Sequence, residues 1–241
     1  MVHQNGKIFV IEGPDGSGKS TMVANLTKKI RKMGLNIKRV SLPNPDSIYY
    51  AEIRRELLNP FLNIDVLQNL MMLNMDYCFS KIISPQIHEG TSFIIDRWAI
   101  STIIYSFLKH GSIIINDFST KDGCLDLERI VRVASGFIWP NKIFYLNTPK
   151  DLLYKNAIDR GGNEIFDKKE MVDKIYLEYK TFYEAASNKK NRYHGYKIYE
   201  FESSDTKDRH ILVEPADPTS TSNDIYLSME VKITNMIMKE F

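Results

Sequence analysis

The sequence predicts an α/β fold: a three-layer domain around a central parallel sheet, with a lid segment and an irregular C-terminal extension. Three observations carry this. Short apolar runs alternate with amphipathic helical patterns along most of the 241 residues, the order that builds βαβ units. Runs such as Ser92-Phe93-Ile94-Ile95 are continuously apolar, as strands covered on both faces are. The first run passes directly through a glycine-rich turn, Gly13 to Gly18, into a helical pattern.

In chain order, residues 7–12 read as a strand, 20–33 as a helix closed by Gly34, and 36–42 as a second strand. Pro43 and Pro45 impose a loop over 43–47. A helix follows over 48–58, ended by Asn59-Pro60, and a longer one over 66–83 in which Leu67, Leu70, Met71, Asn74, Tyr77, Cys78 and Ile82 recur at helical spacing. Residues 92–95 form a buried strand, and 99–110 a helix. Residues 111–123 fit either a short strand or an excursion, and 125–135 are helical. A further buried strand spans 142–146. The next helix starts at Asn147-Thr148-Pro149 and is interrupted at Arg160-Gly161-Gly162-Asn163. Residues 168–187 make a long amphipathic helix. Residues 196–202 and 210–214 read either as a hairpin or as one core strand with an extension, and 225–239 is the last helix. The whole, 1–241, reads as one domain, with a lid near 156–167 and an extension near 188–224.

Composition narrows the function. A formal charge of +2 with 26% charged residues and no long basic block gives no footprint for nucleic acid. No apolar run approaches the ~20 residues of a membrane span. Cys78 and Cys124 make neither a disulfide framework nor a metal spacing, which suits a reducing, cytoplasmic setting. The polar N-terminus does not read as a signal peptide.

The chemistry begins with Gly13-Pro14-Asp15-Gly16-Ser17-Gly18-Lys19-Ser20-Thr21, which fits the phosphate-loop (P-loop) pattern G-x-x-x-x-G-K-[ST] between a strand and a helix. Glycines let the backbone turn its N–H groups toward phosphate oxygens, and the helix start adds its positive dipole end. Lys19 is placed for the β/γ-phosphates of ATP and Ser20 for Mg²⁺. A second constellation, Asp96-Arg97-Trp98 with Ser101 and Tyr105, also follows a strand, so both fall on the C-terminal edge of the sheet, where ligands collect. Arg97 offers a planar fork to phosphate; a structural Asp–Arg helix cap reads equally well. The third is the segment 156–167. There Arg160 beside two glycines suits a closing loop that brings a cation and excludes water, and an ordinary helix break with a surface arginine is the other reading.

Together these residues resemble a thymidylate kinase, within the P-loop nucleoside monophosphate kinases. Besides the phosphate loop, Asp-Arg-Trp-Ala-Ile-Ser at 96–101, Tyr105 and Arg160-Gly161, the chain has Pro43 and Ile53-Arg54-Arg55-Glu56-Leu57-Leu58 where that family has a proline loop and an Ile-Arg-x-x-Leu helix. The similarity runs over about residues 7–187. It implies ATP and Mg²⁺, a dTMP or other deoxynucleoside monophosphate acceptor, and a homodimer. It implies that Gly13 to Thr21 bind ATP, that Asp15 meets the sugar 3′-hydroxyl, and that Arg97 holds the acceptor 5′-phosphate. Asp96 would organise metal and phosphate, Tyr105 would crowd the 2′ position, and Arg160 would clamp the phosphates. The family's catalytic arginine comes from the phosphate loop or from the lid; position 16 is Gly, so the lid must supply it.

The family's thymine-reading arginine is missing. The matching stretch is Leu73-Asn74-Met75-Asp76-Tyr77, so base recognition passes to Leu42, Asp76, Tyr77 and Ser106. That leaves an altered or broader base choice open. The nearest rival, a deoxynucleoside kinase, would show Glu-Arg-Ser rather than Asp-Arg-Trp and a carboxylate base after its first strand, for which Glu12 could be mistaken. A nucleotide switch would need an Asn-Lys-x-Asp guanine reader, whereas Asn141-Lys142 runs into Ile143-Phe144.

Overall fold

The computed structural model describes residues 5–59, 61–107, 138–159, 161, 165–187, 192–193, 196–197 and 209–241. The predicted elements over 111–123 and 125–135, Cys124, and Arg160 lie outside them.

Five strands form an all-parallel sheet. They are β1 (Ile8–Glu12), β2 (Ile37–Ser41), β3 (Ser92–Asp96), β4 (Lys142–Leu146) and, after a two-residue antiparallel ribbon of β5 (Arg192–Tyr193) and β6 (Tyr196–Lys197), β7 (His210–Val213). The spatial order is β2-β3-β1-β4-β7, so β1 lies centrally between β3 and β4. The last strand is therefore a core strand paired in register with β4, from Ile143 opposite His210 to Leu146 opposite Val213. Of the two readings of the C-terminal region, the core strand with an extension holds.

Side-chain alternation divides the core in two. Phe9 and Ile11 face α1 (Lys19–Lys32) and α8 (Ser222–Met238), meeting Leu26, Ile30, Met229 and Ile233. Ile8 and Val10 face the opposite layer. That layer holds α2 (Tyr50–Leu57), α3 (Ile64–Cys78), α5 (Ala99–Phe107) and α7 (Lys169–Ser187), which supply Ile53, Met75, Ile103 and Phe182. A strand whose alternate residues enter different cores is covered on both faces and reads as an apolar run; all five residues of β1 are buried, Ile8 to Ile11 apolar and Glu12 at its end. The predicted three layers follow from this.

The helix expected over 66–83 starts earlier and changes winding. α3 ends at Cys78, Phe79–Ile83 winds as a π-helix, and α4 (Ser84–Ile87) resumes. Pro85 is the cause: it has no N–H and its ring crowds the carbonyl four residues back. Asn63 caps α3, accepting from the amides of Asp65 and Val66. Cys78 behaves as a small core residue, and burial pushes its thiol up to about 12. Among the described residues no helix is long and apolar enough to cross a membrane.

Candidate active site

At the end of β1 the backbone enters the phosphate loop, and Gly18, in left-handed conformation (φ 85°), is the N-cap of α1. The loop is tied from three directions. The Thr148 hydroxyl, after β4, donates to the Ser17 carbonyl at 3.1 Å. On α6 (Lys150–Asp159), the Asn156 amide donates to the Gly16 carbonyl at 2.7 Å and to the Tyr226 hydroxyl at 2.8 Å. From α8, the Tyr226 ring lies against Gly18 so closely that a Cβ there would sit 2.5 Å from its Cε1. Gly16 is equally confined: at φ 80°, its Cβ would stand 2.8 Å from the Leu153 carbonyl oxygen. Lys19 is buried, and its Nζ donates to the Pro14 carbonyl at 2.6 Å and to Ser17 Oγ at 3.3 Å. Burial first, and then Arg97, lowers its ammonium to about 8.

β3 delivers the second constellation to the same edge. Asp96 Oδ2 accepts from Ser20 Oγ at 2.5 Å. Asp96 Oδ1 is buried without a hydrogen-bond partner among the described residues. Arg97 has φ 73°, the left-handed region, which is uncommon outside glycine and concentrates at functional sites. Its guanidinium pairs with Asp15 and bonds to Ser101 Oγ and the Tyr179 hydroxyl, each at 3.3 Å. The Tyr105 hydroxyl donates to the other Asp15 oxygen. Burial works against the Arg97 charge, but Asp15 above all, with Tyr105, Tyr179 and Asp96, outweighs it and holds the group well above its ordinary range.

Beneath this lies Glu12, fully buried at the end of β1. Oε1 accepts from the backbone N–H groups of Trp98 (2.8 Å) and Ser101 (3.3 Å). Oε2 accepts from Ser101 Oγ (2.7 Å) and the Tyr179 hydroxyl (3.0 Å). Burial raises its carboxyl above the usual range, opposed by the Ser101 bond and Arg97. Glu12 thus caps α5 from a neighbouring strand, satisfying N–H groups that the helix start leaves open. With both oxygens engaged, it is not placed as the general base that the nucleoside-kinase reading would require. Replacing Glu12 with alanine should cost about 3 kcal/mol of stability by stranding these donors, and the isosteric Glu12→Gln should cost less. Urea unfolding of the two variants checks this, and an unchanged midpoint for Glu12→Ala would remove the capping role.

Two cavities meet here. The larger, about 540 Å³, is lined by Gly16, Gly18, Lys19, Ser20 and Thr21, and also by Leu42, Tyr50, Asp96, Asn156 and Tyr226. The smaller, about 170 Å³, is lined by Leu57, Ile64, Leu67, Gln68, Met71, Ser101, Thr102, Tyr105 and Phe166. Asp15, Pro43, Arg54 and Arg97 line both. The proline loop is held in place by Asn74, fully buried on α3, whose Oδ1 accepts from the Asn44 amide at 2.8 Å and whose Nδ2 donates to the Asn44 carbonyl at 3.2 Å. Phe166 meets the Tyr105 ring edge-on at 4.8 Å.

Most of the expected residues converge. Asp15, Gly16, Gly18, Lys19, Ser20, Thr21, Leu42, Asp96, Arg97, Ser101 and Tyr105 line one or both cavities. Gly13 and the buried Ser17 shape the loop from below. Asp76 is exposed, and Tyr77 packs half-buried against the core; neither lines either cavity. α3 presents Ile64, Leu67, Gln68 and Met71 instead, one helical face starting earlier in the helix. The side chain of Ser106 lies outside the description. Arg54, present in the sequence only as part of the Ile-Arg-x-x-Leu helix, lines both cavities. Gln68, Phe166, Tyr179 and Tyr226 carry no motif; of these only Gln68 leaves a trace, as the one polar residue in an otherwise apolar i, i+3, i+4, i+7 row.

A phosphate loop on β1, a neighbouring strand ending in Asp-Arg, and a second cavity joined to the first through two arginines are the parts of a P-loop phosphotransferase. The thymidylate kinase family model matches residues 11–198, and the chain belongs to that family. It is similar to the thymidylate kinase of Chlorobaculum parvum, 31% identical over 169 residues (68% of this chain, 72% of the relative). It also resembles the thymidylate kinase of Plasmodium falciparum, 29% identical over 180 residues (74% and 78%). In fold it is similar to a thymidylate kinase structure from Candida albicans, an enzyme described as having broad substrate specificity. The TM-score is 0.63 at 19% identity, covering 98% of this chain and 92% of that one. The chain is accordingly a nucleoside monophosphate kinase.

Proposed function

We propose that the protein transfers the γ-phosphoryl group of ATP to the 5′-phosphate of dTMP, giving dTDP and ADP on the way to dTTP. An acceptor phosphate oxygen forms the new P–O bond as the bond to the β,γ-bridging oxygen breaks, and ADP leaves with those electrons. The observation that carries this is Arg97: it lines both cavities and is fixed by Asp15, Ser101 and Tyr179. A phosphate held there lies between the donor at Lys19 and a nucleoside in the smaller cavity. Arg54 lines the same junction. Because the acceptor is already an anion, no side-chain base is needed. Catalysis is then positioning and charge neutralisation.

Ser20 Oγ and Asp96 Oδ1, unpartnered among the described residues, suit Mg²⁺, an ion that takes few protein ligands and completes its shell with phosphate and water. When bound, it would neutralise phosphate charge. Asp15 and Tyr105 form the floor under the sugar. Arg160, in a lid over 156–167, supplies the catalytic cation, and the whole chain works as one kinase unit in the cytoplasm. A homodimer through α3 fits the exposure of Val66 and Leu73, 43% and 45%, on that helix. Sedimentation tests this.

The deciding measurement is coupled ADP release with ATP, Mg²⁺ and a panel of dTMP, dUMP, dCMP, dGMP, dAMP and thymidine. Turnover with dTMP is expected. Turnover with thymidine alone would sink the monophosphate reading.

A further inference from the structure

The smaller cavity contains a polar group that nothing so far employs. Gln68, on α3, is 6% exposed and lines that cavity. Its Nε2 is buried with no hydrogen-bond partner among the described residues. Of the other polar walls, Tyr105 is committed to Asp15, and Ser101 to Glu12 and Tyr179. Arg97 is paired with Asp15, Arg54 and Thr102 are the other polar neighbours, and Leu57, Ile64, Leu67, Met71 and Phe166 supply apolar wall. A buried amide without a partner is destabilising and calls for an explanation; a ligand in this cavity would supply the missing partner.

We propose that Gln68 reads the hydrogen-bonding edge of the acceptor base and determines which pyrimidine is preferred. This rests on the monophosphate-kinase reading and names the residue that replaces the absent guanidinium. A carboxamide sets a donor beside an acceptor. The 4-oxo pyrimidine edge sets a carbonyl oxygen beside N3–H, which is the complement. Nε2–H donates to O4 and Oε1 accepts from N3–H. Apolar walls exclude water and make each such bond count, since a polar edge left unmatched there loses its hydration without return. The cavity, at about 170 Å³, suits a one-ring base. Asp76 and Tyr77, outside both cavity walls, take no part.

Two variants test the assignment, with dTMP and dCMP titrated separately at saturating ATP. Gln68→Leu should raise KM for dTMP at least tenfold, leave kcat within about threefold, and not lower the thermal midpoint. Gln68→Glu, an acceptor that suits the 4-amino edge and repels the 4-oxo edge, should shift the dTMP/dCMP ratio of kcat/KM at least tenfold toward dCMP. An unchanged ratio in Gln68→Glu, or an unchanged KM in folded Gln68→Leu, overturns the proposal. So does a kcat loss in Gln68→Leu matched by unfolding. If the wild-type protein turns over no monophosphate at all, the kinase reading fails instead, a result visible before either variant is made.

Discussion

Lys19→Ala is expected to abolish measurable turnover, a loss of at least about 10³-fold in kcat, the scale on which removal of a preorganised charge-stabilising group is felt. Its ammonium is buried beside the larger cavity and donates to the Pro14 carbonyl and Ser17 Oγ. Its ordinary value of 10.5 is lowered to about 8, by burial first and then by Arg97. Between these values the unfolded chain holds a proton that the folded chain lacks, so this group makes the fold more stable as pH rises through that window. Below about 8 both states are charged, and the full cost of burying the charge is felt. ATP phosphates beside Nζ favour the charged form. Nucleotide binding at pH 9 should therefore take up close to ~1 proton, read by calorimetry in two buffers of different ionisation enthalpy. The uptake should vanish in Lys19→Ala. Zero uptake in the wild-type protein would show that Lys19 does not meet phosphate.

Arg160→Ala should lower kcat about 10³-fold, the low end for an arginine that stabilises a transferring phosphoryl group, while KM for ATP and dTMP changes little. The structure gives this a physical basis away from the lid itself. The alternative location for such an arginine is position 16, where α6 crosses so close that a Cβ would lie 2.8 Å from the Leu153 carbonyl, on a backbone with φ 80°. No arginine fits there without moving α6, which Asn156 ties to the Gly16 carbonyl. Adding Gly16→Arg to Arg160→Ala should therefore not restore turnover and should lower the thermal midpoint. An intact kcat in the single variant would take Arg160 out of the mechanism.

Local pattern reached a long way in this protein. The strands ending in the phosphate loop and in Asp96 were readable because each depends on the residue order within one segment, and the alternation of strands with helices was enough for the parallel, two-sided class. The C-terminal strand was ambiguous because 210–213 carries no turn signal to choose a partner; pairing with β4 settles it. Family spacing points base recognition to Leu42, Asp76, Tyr77 and Ser106; Leu42 lines the larger cavity, while Asp76 and Tyr77 line neither. The helix phase around Asn74, fixed by its two bonds to Asn44, turns Gln68 and Met71 to the smaller cavity instead.

By itself the sequence determined the α/β class, the phosphate loop with its Lys19 and Ser20, and Asp96-Arg97 on the same sheet edge. These depend on backbone conformations that glycines and apolar runs enforce over a few residues. Only the tertiary structure decided how the edge is wired. Glu12 reaches Trp98, 86 positions away, and Tyr179, 167 away. Asp15 joins Arg97 to Tyr105, and Tyr226 closes on Gly18 from the last helix. These contacts exist because the strand order β2-β3-β1-β4-β7 brings distant strand ends side by side, and no spacing along the chain encodes that order.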